Sequence, residues 1–64
     1  MAPGDKSYLT RIIQGVLYAR GYDPKGFDGV YGSGTRNAVW FFQRDKNLKA
    51  TGTVDPATWG ALLS

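Results

Sequence analysis

The stretch that decides the fold is GFDGVYGSGTRNAVWFFQ, residues 26–43. It begins with closely spaced glycines and becomes an apolar run that carries Trp40, Phe41 and Phe42 side by side. Glycine turns followed by such a run are typical of a loop that leads into an amphipathic helix. Because successive helical residues are rotated by about 100°, the three aromatic side chains cannot all lie on one face.

Apolar spacing around this stretch predicts an all-α, compact three-helix domain. The first helix is expected over residues 7–20, where one stripe contains Leu9, Ile12, Ile13, Val16 and Leu17. Gly21 stands at the C′ position, where a left-handed residue commonly ends a helix. The glycine-rich segment that follows still carries aromatic residues, so it is predicted to be an ordered loop packed on the helices.

The second helix is predicted over residues 33–47. Its core stripe is expected to contain Thr35, Ala38, Val39 and Phe42. Trp40 falls roughly opposite that stripe and is predicted to point outward, whereas Phe41 falls at the margin. Arg36 and Arg44 lie one turn before and after Trp40, so each is predicted to stack on the indole, at about 0.5–1 kcal/mol per exposed pair.

The third helix is predicted over residues 55–63. Asp55 is the expected N-cap, and Pro56 takes the first helical position, where its missing N–H costs nothing. Val54 and Trp59 have the spacing of a hydrophobic staple, which places the indole of Trp59 in the core. The buried side is completed by two leucines, Leu62 and Leu63.

The second and third helices begin with a shared sequence skeleton. Residues 29–39 and 52–62 each run from a glycine through an apolar residue and a threonine to a small–apolar pair. This match suggests an internal duplication of a loop–helix unit. The stripe edges also carry polar residues, namely Gln14, Gln43, Thr35 and Thr58. Since half-buried amides and hydroxyls need partners, we predict that they bind the backbone of neighbouring loops.

The composition argues against catalysis. The 64 residues include five aspartates but no glutamate, histidine or cysteine. A catalytic triad, a histidine acid–base pair and a histidine or thiolate zinc site therefore cannot be built. We predict no catalytic residue, no metal and no cofactor. A two-aspartate hydrolase is conceivable, but Asp28 and Asp55 are already explained by turn and cap chemistry.

Charge and hydropathy limit the partners and the location. The net charge is +3, with a pI near 9.5, but the basic residues are scattered, which disfavours a nucleic-acid-binding module. No apolar run approaches the ~20 residues needed to span a bilayer. Residues 1–6 read as a linker or a non-native end, without the pattern of a signal peptide, and residues 7–64 form the predicted domain.

Three blocks of the sequence resemble the small three-helix peptidoglycan-binding domain of bacterial and phage cell-wall hydrolases. They are IIQGVLYARGY (12–22), FDGVYGSGTRNAVWFFQ (27–43) and LKATGTVDPATWGALL (48–63), and the resemblance extends over residues 8–63. The resemblance implies a non-catalytic module that holds a lytic enzyme on the wall by binding the glycan strand, the stem peptide or both. It also implies an extracellular, periplasmic or cell-wall location, or a phage-encoded protein.

The same resemblance implies a contact surface near the Asp28-Gly29 turn and the start of the second helix. The residues at the matching positions are Asp28, Gly29, Tyr31, Gly32, Thr35 and Arg36. From the residues alone, the turn needs only a positive φ at Gly29 and a carboxylate at Asp28 that accepts backbone N–H bonds. A direct ligand contact by Asp28 is the alternative.

The sequence departs from the family pattern at Trp40 and Phe41, where polar residues are common. Trp40 joins the candidate contact residues because flat aromatic faces suit sugar rings and neighbouring arginines suit carboxylates. The alternative is a protein-docking or prodomain-like module that uses the Arg36/Trp40/Arg44 face. The two readings differ in whether the wall or a protein partner covers the aromatic side of the second helix.

Overall fold

The described part of the chain is an all-α domain of three helices. A computed structural model describes residues 8–26 and 29–64. These residues form α1 (Tyr8–Ala19), α2 (Ser33–Asp45) and α3 (Pro56–Leu63). The predicted fold class and helix order are confirmed. Within these ranges, no helix has the length and apolar character needed to cross a membrane.

Left-handed residues end the first two helices. Gly21 has a φ of 91°, as its predicted C′ role requires, and Asn47 has a φ of 60°. In each case the N–H of the following residue reaches back to a helix carbonyl, that of Leu17 or Gln43, at 2.8 Å. This is the Schellman arrangement. It explains why α2 ends before the predicted boundary, because Asn47 has already left the helical conformation.

The core lies between the three helices and the loops that join them. Its buried apolar members are Ile13, Leu17, Tyr31, Ala38, Val39, Phe42, Val54 and Leu62. Tyr31 and Val54 come from loops rather than helices, and both are almost completely buried. The loops therefore supply side chains that a three-helix core of this size would otherwise lack.

The helix α1 is rotated relative to its predicted orientation. Its buried residues are Thr10, Ile13, Gln14 and Leu17. The prediction that Leu9 and Ile12 face the core was wrong, since these side chains are 52% and 38% exposed. Gln14 is buried and forms hydrogen bonds to the loop after α1. With Gln14 on the buried side of the helix, part of the predicted apolar stripe faces solvent.

The helix α3 begins as predicted, but its last residue does not pack in the core. Asp55 is the N-cap, and its Oδ1 accepts the N–H of Thr58 at 2.8 Å. Leu62 is buried, and Trp59 packs against the core while partly exposed. Leu63 was wrongly predicted to be buried. It is 66% exposed because one further residue turns its side chain by about 100° from Leu62.

We expect Gly34→Ala to destabilise the domain and Gly60→Ala to stabilise it. A Cβ at Gly34 would lie 2.5 Å from the carbonyl oxygen of Pro24, whereas a Cβ at Gly60 would meet nothing within 4 Å. Displacing the loop should lower the free energy of unfolding by about 1–3 kcal/mol. Alanine at Gly60, inside α3, should raise it by about 0.5–1 kcal/mol. Urea unfolding followed by circular dichroism measures both, and a Gly34→Ala variant as stable as wild type would contradict the close approach.

Candidate ligand-binding site

Gln14 of α1 fixes the loop that leads into α2. Its buried amide Nε2 donates to the carbonyl oxygen of Val30 at 3.1 Å and to Thr35 Oγ1 at 3.0 Å. Its Oε1 accepts the N–H of Gly29 at 3.1 Å. Gly29 has a φ of 79°, as predicted. One side chain thus binds the turn and the first turn of α2, which confirms the loop-binding role predicted for Gln14.

Gln43 of α2 does the same for the loop that leads into α3. Its Nε2 donates to the carbonyl oxygen of Thr53 and to Thr58 Oγ1, both at 2.9 Å. Its Oε1 accepts the N–H groups of Thr51 at 2.8 Å and Gly52 at 2.9 Å. The partners correspond, position by position, to those of the first glutamine, and this correspondence supports the predicted internal duplication.

Three of the seven predicted contact residues, Gly29, Tyr31 and Thr35, are buried, and a fourth, Asp28, is outside the described residues. Tyr31 is fully buried, and its hydroxyl donates to the carbonyl oxygen of Gly52. Thr35 is 2% exposed and accepts from the first glutamine, and Gly29 is also buried. The side chains of Tyr31 and Thr35 therefore hold the loop in place and do not reach the surface.

The other three predicted contact residues lie at separate places on the surface. Gly32 is half-buried and borders a shallow groove of about 270 Å³ at the start of α2. Arg36 is exposed and lies beside the second loop, since a Cβ at Gly52 would be 2.7 Å from Arg36 Cγ. Trp40 lies one turn further along α2. Of the described contact residues, Gly32 and Thr35 line this groove, whereas Arg36 and Trp40 lie further along α2 and do not line it.

The aromatic residues of α2 differ from the prediction in their exposure. Trp40 is half-buried, whereas Phe41 is 45% exposed, so the predicted order of exposure was wrong. The two rings meet edge to face, with their centroids 5.1 Å apart. The Arg44 guanidinium lies 5.7 Å from the Trp40 centroid and 5.0 Å from that of Phe41. Trp40 is thus partly covered by its two neighbours, and its predicted stacking with Arg44 is confirmed.

A larger groove, of about 420 Å³, lies between residues 21–25 of the loop and the outer side of α2. Its volume falls within the range of small-molecule sites. The residues that line this groove include Tyr22, Asp23, Lys25, Gly34, Asn37, Ala38, Phe41 and Asp45. It shares Lys25 and Gly34 with the smaller groove, so the two are adjacent.

Tyr22 links the loop to α2 at this groove. Its hydroxyl donates to Asp45 Oδ2 at 2.7 Å, and its ring packs edge to face on Phe42 at 5.6 Å. This hydrogen bond lowers the pKa of Asp45 and raises the pKa of Tyr22 above its usual value. At neutral pH the pair is therefore a carboxylate and a neutral phenol. With Asp23 and Lys25, the groove has two carboxylates and one ammonium group.

Sequence reasoning missed three residues of the larger groove that can contact a ligand, namely Tyr22, Asn37 and Phe41. The i, i+4 spacing of Asn37, Phe41 and Asp45 places these side chains on one side of α2 and was a usable signal. The bond from Tyr22 to Asp45 had no comparable signal, because no local pattern relates two residues that are so far apart in the sequence.

Comparison with known proteins identifies the family. Residues 7–62 match the family described as "Putative peptidoglycan binding domain". The chain belongs to this family. The resemblance drawn from the three sequence blocks is therefore confirmed, as is the prediction of a non-catalytic binding module with peptidoglycan as its partner class.

Two proteins of Bacillus subtilis (strain 168) are related to this peptidoglycan-binding domain. Uncharacterized protein FadG is 42% identical over 60 residues, which cover 92% of this chain and 10% of FadG. Uncharacterized protein YbfG is 43% identical over 67 residues, which cover 100% of this chain and 9% of YbfG. The chain thus spans about a tenth of the length of the curated relatives that it matches.

Two solved structures have the same fold. The crystal structure of the Burkholderia AP3 phage endolysin has a TM-score of 0.92 and 37% identity, over 97% of this chain and 24% of the endolysin. The peptidoglycan-binding protein of Clostridioides difficile, in complex with glutamine hydroxamate, has the same TM-score and identity. That match covers 97% of this chain and 39% of the other.

We expect Gln43→Leu to destabilise the domain strongly. Leucine fills a similar volume but leaves the N–H groups of Thr51 and Gly52 without their acceptor and Thr58 Oγ1 without its amide donor. Gly52 and Thr58 are buried. At about 1–3 kcal/mol for each unpaired buried group, the free energy of unfolding should fall by ~2 kcal/mol or more. Urea unfolding measures the loss. Lys49→Leu, an exposed substitution in the same loop, is the control and should stay within about 0.5 kcal/mol of wild type. Equal effects of the two variants would contradict the role of Gln43.

Proposed function

We propose that this domain binds the peptidoglycan of the cell wall and thereby holds an attached or partner hydrolase on its substrate. The observation that carries this proposal is the family match over residues 7–62. The structural likeness to a phage endolysin supports the association with a lytic enzyme. A wall-binding role also places the domain outside the cytoplasm or in a phage-encoded protein that reaches the wall.

The small size of the domain is compatible with a tethering role. Even a millimolar site provides only ~4 kcal/mol of binding free energy. Weak binding becomes useful when the domain is linked to another binding or catalytic unit, because the linker raises the effective concentration. The matched region is a small part of each relative and of each solved structure, which fits a module within a larger protein.

We propose that ligand contact occurs along the first loop and the start of α2. Gly29 and Gly32 belong to the loop before α2, and Arg36 with Trp40 extends the surface along α2. Asp28, which precedes Gly29 in the sequence, is included in this proposal. Tyr31 and Thr35 would act by holding this surface in shape. The Clostridioides difficile neighbour is in complex with glutamine hydroxamate, an amino-acid derivative, which supports a contribution of the stem peptide to recognition.

Co-sedimentation with insoluble peptidoglycan tests this function. The domain is fused to a fluorescent protein, and the fluorescent protein alone is the control. We expect the fusion to sediment with the wall at micromolar to millimolar concentration while the control stays in solution. Circular dichroism must show that the fused domain is folded. A folded fusion that sediments no more than the control would contradict wall binding and favour a protein-docking or prodomain-like role.

A further inference from the structure

We propose that the 420 Å³ groove beside Phe41 is a glycan subsite that holds one uncharged N-acetylated amino-sugar ring. The proposal rests on the proposed function and specifies which part of peptidoglycan this groove recognises. It concerns a surface distinct from the contact residues proposed above. Phe41 borders the groove on α2 and is 45% exposed.

The first argument is the exposed face of an aromatic ring held in place. Phe41 is 45% exposed although it lies beside a groove. Its plane and that of Trp40 are 85° apart, and the Arg44 guanidinium lies over the ring, 5.0 Å from its centroid. These contacts restrict the ring, and Phe41 still contributes exposed apolar surface to the groove. One face of a pyranose consists of C–H groups, whose partial positive charge suits the negative face of an aromatic ring.

The second argument is the placement of polar groups around an apolar surface. Ala38 and Phe41 contribute to the apolar lining, and at Gly34 the loop approaches α2 closely through the carbonyl oxygen of Pro24. Asn37 is exposed and lies one helical turn before Phe41. Its side-chain amide offers both a donor and an acceptor, as an acetamido group requires. A few polar groups around an apolar surface are typical of small-molecule sites.

The third argument is charge, which favours the sugar over the acidic stem peptide. Lys25 Nζ lies 4.0 Å from Asp23 Oδ2, so its charge is already opposed by a carboxylate within the groove. Asp45 adds a second carboxylate, whose Oδ2 accepts from the Tyr22 hydroxyl and whose Oδ1 lies 3.4 Å from the Arg44 guanidinium. Each carboxylate of the groove is therefore opposed by a cation. The described lining residues offer a free peptide carboxylate no cation that lacks a partner, whereas an uncharged sugar ring needs none.

Amide chemical-shift titration by NMR tests the subsite with two probes. The first is the tetramer of N-acetylglucosamine, and the second is the free stem tetrapeptide. We expect the sugar to shift the amides of Asn37, Phe41 and residues 21–25 and to saturate in the millimolar range. The peptide should leave these amides unchanged. Shifts confined to other residues with the sugar, or larger shifts in the groove with the peptide, would overturn the proposal.

Substitutions at the groove provide a second test, which compares the affinity of each variant for the sugar. Phe41→Ala should weaken binding of the sugar about fivefold or more, because it removes the ring face. Leu63→Ala is the control, since it removes from α3 an apolar side chain that is more exposed than Phe41 and does not line the groove, so this variant should bind as wild type does. Phe41→Leu retains bulk without a ring, and it replaces the alanine variant if circular dichroism shows that variant to be unfolded. Equal affinity of wild type and a folded Phe41 variant would refute the subsite.

The two proposals can fail separately. If the wild-type domain sediments with whole peptidoglycan but the sugar leaves the groove unchanged, the subsite is wrong and wall binding stands. If the sugar binds at the groove but the domain does not sediment, the wall function is wrong and the sugar site stands. The titration decides the subsite in either case.

Discussion

The hydrogen bonds of two buried glutamine amides hold the loops of this domain to its helices. A chain of 64 residues without cysteine buries a small core and has no disulfide to support it. Gln14 and Gln43 are almost completely buried, and each pairs both its donor and its acceptor with loop backbone. Among the described residues, no buried side-chain polar atom lacks a hydrogen-bond partner. The two glutamines therefore connect loops to helices without leaving a buried polar group unpaired.

The position of the candidate site follows from these bonds. Gln14 holds the loop before α2, and that loop forms one side of both grooves. Tyr22 and its bond to Asp45 then set the distance between the loop and the outer side of α2. The second loop is held in the same way, but the Arg36 side chain lies against it. The two loops are thus held alike by a glutamine amide, but their surroundings on α2 differ.

Local chemistry made much of the fold predictable. Helix periodicity, the left-handed Gly21 and the Asp55 cap all depend on residues close together in sequence. The roles of the two glutamines were predictable as well, because a polar amide at the edge of an apolar stripe must find partners. The orientation of α1 about its axis was not predictable, because it depends on the hydrogen bonds between Gln14 and the following loop. In the observed orientation, Leu9 and Ile12 are exposed.

The candidate site was less predictable because it depends on contacts between distant segments. Arg20 illustrates this, since its guanidinium donates to the carbonyl oxygens of Leu62 and Ser64, and no local pattern indicates that pairing. The exposure of Phe41 rather than Trp40 likewise depends on how neighbouring rings and Arg44 pack. Burial of Tyr31 follows from its hydrogen bond to the second loop. Helix spacing alone cannot supply these facts.

Hydrogen exchange of the loop amides tests the central claim most directly. The N–H groups of Gly29 and Gly52 lie outside the helices, yet both donate to a buried glutamine oxygen. If the two glutamines hold the loops to the core, both amides should exchange as slowly as the core helix amide of Phe42, through global unfolding. Exchange of either amide at the rate of an unstructured peptide would contradict the account, because the loop would then open without unfolding the helices.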